Sequence, residues 1–175
     1  MTDKEFLNAL ANGQSDIVQM LLDILNVTGS RYCIIGGLAV NAYVEPVVSL
    51  DIDIVVSIEN IETTVIAAQK RGLTIERFEH SVNITSPHSD LRILIQIDQR
   101  YQEFIPRAKK KNVLGYTMSV ADLNDILQGK VWAYMDETRR KSKRQKDLAD
   151  IFRIVEAYPQ LETKLPPNLQ EELEE

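Results

Sequence analysis

A single cysteine, Cys33, in 175 residues leaves no partner for a disulfide and no thiolate cluster for a metal. That excludes a disulfide-stapled secreted scaffold and makes a reducing cytoplasm the expected setting. No apolar run approaches the ~20 residues that cross a bilayer. The start Met1-Thr2-Asp3-Lys4-Glu5 also lacks the basic head and apolar middle of a signal peptide. A membrane partner is not expected. The two histidines, His80 and His88, have no ligand pattern around them and suggest no metal centre. Positive charge is in deficit, since 20 Lys and Arg face 26 Asp and Glu for a net −6. Such a balance argues against a surface that coats nucleic acid, while leaving room for a local basic patch. There is no internal repeat.

What remains is ordinary for a globular chain: 44% hydrophobic and 26% charged residues, enough length for one domain or for a small α/β core with a helical appendage. The most informative stretch runs from Tyr32 to Ser57. An apolar strand, Tyr32-Cys33-Ile34-Ile35, ends in Gly36-Gly37 and leads into a short helical run to Tyr43. Glycines there permit a sharp turn and close approach of the backbone to a ligand, and a helix start offers free N–H groups to phosphate oxygens. Gly36 and Gly37 thus read as a phosphate seat. In the following strand, Ser49-Leu50-Asp51-Ile52-Asp53-Ile54-Val55-Val56, side chains alternate, so Asp51 and Asp53 share one face and Ile52, Ile54 and Val56 the other. Two carboxylates one pleat apart repel unless a cation neutralises them, which points to a magnesium site.

Thr2 with Glu5 reads as a capping box for a first helix, and Asn12-Gly13 interrupts it. A second helix follows from Ser15, with Val18, Leu21, Leu22 and Leu25 on one face, and ends at Thr28-Gly29-Ser30. Asn60 caps a helix to about Arg71, closed by Gly72. Leu73 to Phe78, Val82 to Thr85 and Leu91 to Ile97 read as strands. In the last, Leu91, Ile93, Ile95 and Ile97 share a face, while Asp90, Arg92, Leu94, Gln96 and Asp98 share the other. Arg107 to Lys111 reads as a basic loop, and Val113 to Met118 as a hairpin.

Ser119 with Asp122 opens a helix to about Met135, whose apolar arc of Val120, Leu123, Ile126, Leu127, Val131 and Tyr134 encloses Lys130. The next helix, about Arg144 to Tyr158, encloses Asp147 among Leu148, Ile151, Phe152, Ile154 and Val155. Burying either charge alone would cost several kcal/mol, so Lys130 and Asp147 are expected to meet, or Lys130 to reach nucleotide phosphates while Asp147 steadies it. Helical spacing otherwise pairs Asp147 and Asp150 with Lys143 and Lys146. Arg139 to Lys146 holds six basic residues in eight and reads as a solvated loop and helix start. The tail, with Pro166-Pro167 and Glu171-Glu172-Leu173-Glu174-Glu175, reads as a frayed acidic end.

The order of apolar strand, Gly36-Gly37, an interval over residues 38 to 50, then Asp51-Ile52-Asp53-Ile54 resembles the signature of the polymerase-beta-like nucleotidyltransferase superfamily. Within it the chain is similar to the minimal nucleotidyltransferases and the AbiEii-type toxin group, which carry Ser or Thr where Ser49 stands. The stretch Lys146-Asp147-Leu148-Ala149-Asp150-Ile151, preceded by Lys130, resembles their C-terminal helices. The resemblance implies an α/β (α+β) fold: a small mixed sheet flanked by helices over 1–118, a C-terminal helical part over 119–160, and the tail 161–175. It implies transfer of a nucleotide monophosphate from a nucleoside triphosphate such as ATP to a hydroxyl of RNA, protein or a small molecule, using Mg2+ or Mn2+ on Asp51 and Asp53. Gly36, Gly37, Ser49 and Lys130 would bind the nucleotide. A third acid on a neighbouring strand would act as base; Asp98 is the choice and Asp90 the alternative. A toxin role with an antitoxin partner also follows from the resemblance. Gln96 at mid-strand and Val47, where relatives carry a basic residue, leave a second reading: a binding module for nucleotide, RNA or protein that keeps the fold without turnover. A dinucleotide oxidoreductase is a poor match, because Gly36-Gly37-Leu38-Ala39 lacks the three-glycine fingerprint.

Overall fold

Short runs rich in Ile, Val and Leu make the central strands. A computed structural model describes residues 1–175. The strands are β1 (Tyr32–Ile35), β2 (Asp51–Val56), β3 (Thr74–Arg77), β4 (Ser81–Ser86), β5 (Ser89–Gln96), β6 (Lys109–Val113) and β7 (Tyr116–Val120). They form one mixed sheet in the order β3-β4-β5-β2-β1-β7-β6. At its centre β2 runs antiparallel to β1 and parallel to β5, and β1 pairs in parallel with β7. This register sets Ile35 opposite Asp53, Leu94 beside Asp53, and Arg92 beside Asp51.

The helices are α1 (Asp3–Leu10), α2 (Ile17–Val27), α3 (Gly36–Val40), α4 (Ile61–Lys70), α5 (Leu123–Met135), α6 (Lys141–Ala157) and α7 (Pro167–Glu174). The expected α/β class is therefore the observed one. The capping box at α1 is present in both directions, Glu5 N–H donating to Thr2 Oγ1 at 3.2 Å and Thr2 N–H to Glu5 Oε2 at 2.7 Å. Caps elsewhere fall one to three residues from where spacing put them: Asp16 caps α2 and Asp122 caps α5. Asn60 precedes α4, but its side chain accepts from Arg31 N–H and so ties the helix entrance to the start of β1. One connected core reaches from Leu7 to Leu169, so the sheet and the C-terminal helices share it. Cys33 lies inside, its thiol pushed up to about 12 by burial, and is inert. No helix is long and apolar enough to cross a membrane.

Three segments differ from the sequence-based expectation. Lys109, Lys110 and Lys111 belong to β6, not a loop. An edge strand needs only one paired neighbour, and lysines there stay solvated and discourage further pairing; Lys111 also sets its ammonium 4.7 Å from the Tyr43 ring. The turn that returns to β7 has positive φ at both Leu114 and Gly115, the backbone of a two-residue hairpin. Helix α6 begins at Lys141, three residues before the expected Arg144. The tail is also ordered. Leu161, Leu165 and Leu169 are buried, and the glutamates of α7 face outward. Reading the acidic run by composition missed an apolar residue every fourth position.

Leu169 is fully buried, so Leu169→Ala should destabilise the fold by about 2–5 kcal/mol in denaturant unfolding. A change within about 0.5 kcal/mol, the range of surface substitutions, would return the tail to a frayed end.

Candidate active site

Strand alternation puts Asp51, Asp53 and Val55 on one face of β2, the face toward α5 and α6. Asp51 is fully engaged: Arg92 Nε and Nη2 each lie 2.8 Å from its Oδ1, and Lys143 Nζ lies 3.0 Å from Oδ2. Asp53 has no such partner. Burial pushes its carboxyl up to about 6; Asp51 adds to the shift, while Lys130, Arg139 and Lys143 oppose it. Gly36 makes room for this group. It sits at φ +70°, and a Cβ there would collide with Asp53 Oδ2. Gly37 is different, because a Cβ on it would meet nothing nearer than Asp150 Oδ2 at 3.8 Å. Ser49 bonds through its hydroxyl to the backbone of Asp51 and fixes the entrance of the strand.

Behind this pair lies a buried ionic cluster. Lys130 Nζ is 3.1 Å from Asp147 Oδ1 and 2.8 Å from Asp150 Oδ2, with only 11% of its side chain exposed. Arg139 Nε takes the other oxygen of Asp147 at 2.8 Å, and Arg153 Nη1 the other oxygen of Asp150 at 2.8 Å. Burial alone would lower the lysine pKa, but Asp150 and Asp147 outweigh it and hold the ammonium protonated. The expected meeting of Lys130 and Asp147 is observed. The expected pairing of Asp147 and Asp150 with Lys143 and Lys146 along the helix is not. Asp147 is 2% exposed and faces α5, so its partners come from across the helix pair, while Lys143 turns to Asp51.

A groove of about 650 Å³ opens over these groups, lined by Gly37, Ser49, Asp51, Asp53 and Lys130 together with cations the sequence reading had not placed: Arg92, Arg139, Lys143 and Arg153. The signal for Arg92 was its place on the polar face of β5; the others sat in or beyond the basic run read as solvated. A small recess of about 80 Å³ lies behind Asp53, walled by Gly36, Gln96, Tyr101, Phe104 and Gly129. Tyr101 and Phe104 pack on Trp132, with centroids 5.2 and 5.8 Å away, and Arg100 covers that indole at 4.5 Å. A larger depression, about 800 Å³ between α2 and the β6–β7 hairpin, contains no paired carboxylates.

Asp98 lines neither cavity. It caps the 3-10 segment Gln99–Arg107 and pairs with Arg100 Nη2 at 2.8 Å, a contact that holds its carboxyl below the usual range. Asp90 is exposed and accepts from Asn12 Nδ2 at 2.8 Å. On the Asp53 side of β5 the chain places Leu94 and Gln96. No cluster of three metal-ligating side chains occurs. Two carboxylates, one with no protein partner, still fit magnesium, which commonly takes one or two carboxylates and completes its shell with phosphates and water.

No protein-family model matches the chain, and no curated protein matches it in sequence. Solved structures do match in three dimensions. The chain superposes on ANT(2'')-Ia in complex with adenylyl-2''-tobramycin at TM-score 0.59 and 13% identity, covering 81% of this chain and 87% of that one. The lincosamide antibiotic adenylyltransferase LnuA, lincomycin-bound, gives TM-score 0.54 at 12% identity, covering 81% and 98%. An antigenic nucleotidyltransferase-like protein from Paracoccidioides brasiliensis gives 0.51 at 17%, covering 88% and 77%. The chain shares its fold with these nucleotidyltransferase structures.

Three outcomes follow from the burial of Asp53 and the geometry of the two glycines. The native pKa of Asp53, about 6, lies above its unfolded value near 3.9, so the folded chain holds that proton more tightly and stability falls as pH rises from about 4 to 6. Asp53→Asn should therefore stabilise the ligand-free protein at pH 7 by roughly 1–3 kcal/mol, with no gain at pH 4, as read by thermal melts across pH. Gly36→Ala should destabilise by at least about 1 kcal/mol, since it combines strain at positive φ with the clash. Gly37→Ala should melt within about 0.5 kcal/mol of the parent yet bind triphosphate more weakly if backbone approaches phosphate there.

Proposed function

We propose that the protein is a nucleotidyltransferase that moves a nucleoside monophosphate from a nucleoside triphosphate, such as ATP, to an acceptor hydroxyl. The observation that carries this reading is the pair Asp51 and Asp53, projecting from one strand face into an open groove that Gly37 and Ser49 also line. An Mg2+ or Mn2+ ion on the two carboxylates would neutralise phosphate charge. The chain's own part is to seat the triphosphate along Gly37 and the groove cations and to exclude bulk water behind Asp53. The acceptor oxygen bonds to the α-phosphorus, the bond from that phosphorus to the bridging oxygen breaks, and pyrophosphate leaves with the electron pair. Lys130, held protonated by Asp147 and Asp150 at the groove wall, favours the departing charge.

The acceptor proton needs a base. Asp98 is held by Arg100 and its lowered pKa makes it a weak one; loss of transfer in Asp98→Asn would assign it the role. The groove wall sets Arg92, Lys130, Arg139, Lys143, Lys146 and Arg153 against four carboxylates. That excess of positive charge favours an anionic acceptor such as RNA over one like tobramycin, which carries several amino groups. A toxin role with an antitoxin rests on the likeness of Lys130 and Lys146 to Asp150 to AbiEii-type proteins, and a cytoplasmic setting on the lone buried thiol.

One observation favours a second reading. Leu94 stands beside Asp53 where an acid on β5 would complete a triad, which suits a module that binds nucleotide without turnover. Incubation with Mg2+ or Mn2+ and each labelled triphosphate, offered RNA, protein or tobramycin, separates the two. The enzyme reading expects label on RNA or protein, little on tobramycin, and at least about 100-fold loss in Asp53→Asn, the scale of several kcal/mol of lost charge stabilisation. Binding without transfer to any acceptor would leave the module.

A further inference from the structure

Lys143 covers the one oxygen of Asp51 that Arg92 leaves open. The two contacts differ in kind. Arg92 reaches Oδ1 from the adjacent strand with two nitrogens, both at 2.8 Å, and its Cα is fixed by the β2–β5 register. Lys143 makes a single contact at 3.0 Å through a flexible stem that is 30% exposed. It stands in the first turn of α6, beside Lys141 and Arg144 and with no acid in that turn. Positive side chains at a helix N-terminus oppose the helix dipole, so this end of α6 calls for an anion. In the ligand-free chain the anion Lys143 meets is Asp51.

We propose that Lys143 is an exchangeable counter-ion: it holds Asp51 while the groove is empty and passes to triphosphate oxygens when a nucleotide enters, freeing Asp51. The inference rests on the nucleotidyltransferase reading and goes beyond it. A compact, hydrated ammonium with three donors suits exchange between carboxylate and phosphate, because neither partner demands the planar fork an arginine offers. The consequence is order in loading. A divalent ion alone must compete with Lys143 for Asp51, whereas an ion arriving with its nucleotide brings the phosphates that draw the lysine away. Metal and nucleotide therefore enter as one unit, and the affinity of each rises with the other.

The test is Mn2+ binding to the full chain, read by electron paramagnetic resonance with and without a non-hydrolysable ATP analogue. In the parent, the analogue should tighten Mn2+ binding about 10-fold or more, within the usual range of coupling between two ligands. Lys143→Met should tighten Mn2+ binding in the absence of analogue by about 10-fold, weaken the analogue, and so shrink the coupling. Lys146→Met removes the same charge from the same groove without an ion pair to break, and should leave Mn2+ binding in the absence of analogue near the parent. Unchanged Mn2+ affinity in Lys143→Met, or an equal gain in Lys146→Met, overturns the exchange. A parent chain that binds no triphosphate with any divalent ion overturns the nucleotidyltransferase reading itself, even if Lys143→Met tightens Mn2+.

Discussion

Two carboxylates on one face of one strand repel each other, and the burial of Asp53 makes that repulsion costly. Much of the surrounding structure is arranged to answer it. Arg92 comes from the adjacent strand, Lys143 from the start of α6, and Lys130 and Arg139 from α5 and the loop beyond it. The cations differ in how firmly they are held. Lys130 is locked by Asp147 and Asp150 and resists displacement, since removing a partner would leave a largely buried charge uncompensated. Lys143 is held by one contact at the rim. The site thus combines a rigid floor with a movable edge.

The C-terminal helices are for this reason part of the site and of the core. Without them, Asp53 would face solvent, and its pKa would lack the burial that raises it. The ionic cluster of Lys130, Asp147, Asp150, Arg139 and Arg153 fixes where α5 and α6 lie against the sheet, through hydrogen bonds whose geometry apolar contacts would not specify. The same solvent exclusion that prepares an electrostatic site lowers the stability of the empty protein.

The part of this arrangement legible in the sequence is the part governed by short-range periodicity. A strand's alternation put Asp51 and Asp53 on one face, and helical spacing picked out Lys130 and Asp147 as charges on buried arcs that needed a partner, either each other or a bound phosphate. What escaped depends on contacts between distant segments. Lys143 is one of six cations in a basic run, and nothing in that run tells which side chain crosses to a strand 92 positions earlier. Asp98 looked available because it ended a strand, but local chemistry claimed it: the turn that follows uses it as a cap, and Arg100 takes the rest of its charge. The tail misled for the opposite reason, its glutamates concealing leucines spaced to pack.

Trp132 adds a physical property to the chain. It is the only indole present, and it packs against Tyr101 and Phe104, the rings that wall the recess behind Asp53, while Arg100 lies over its face. Ultraviolet emission excited at the red edge of protein absorption thus originates from one spot, with a guanidinium near enough to tune its colour. The molecule carries a built-in optical probe of the back wall of its own groove, free of any attached dye.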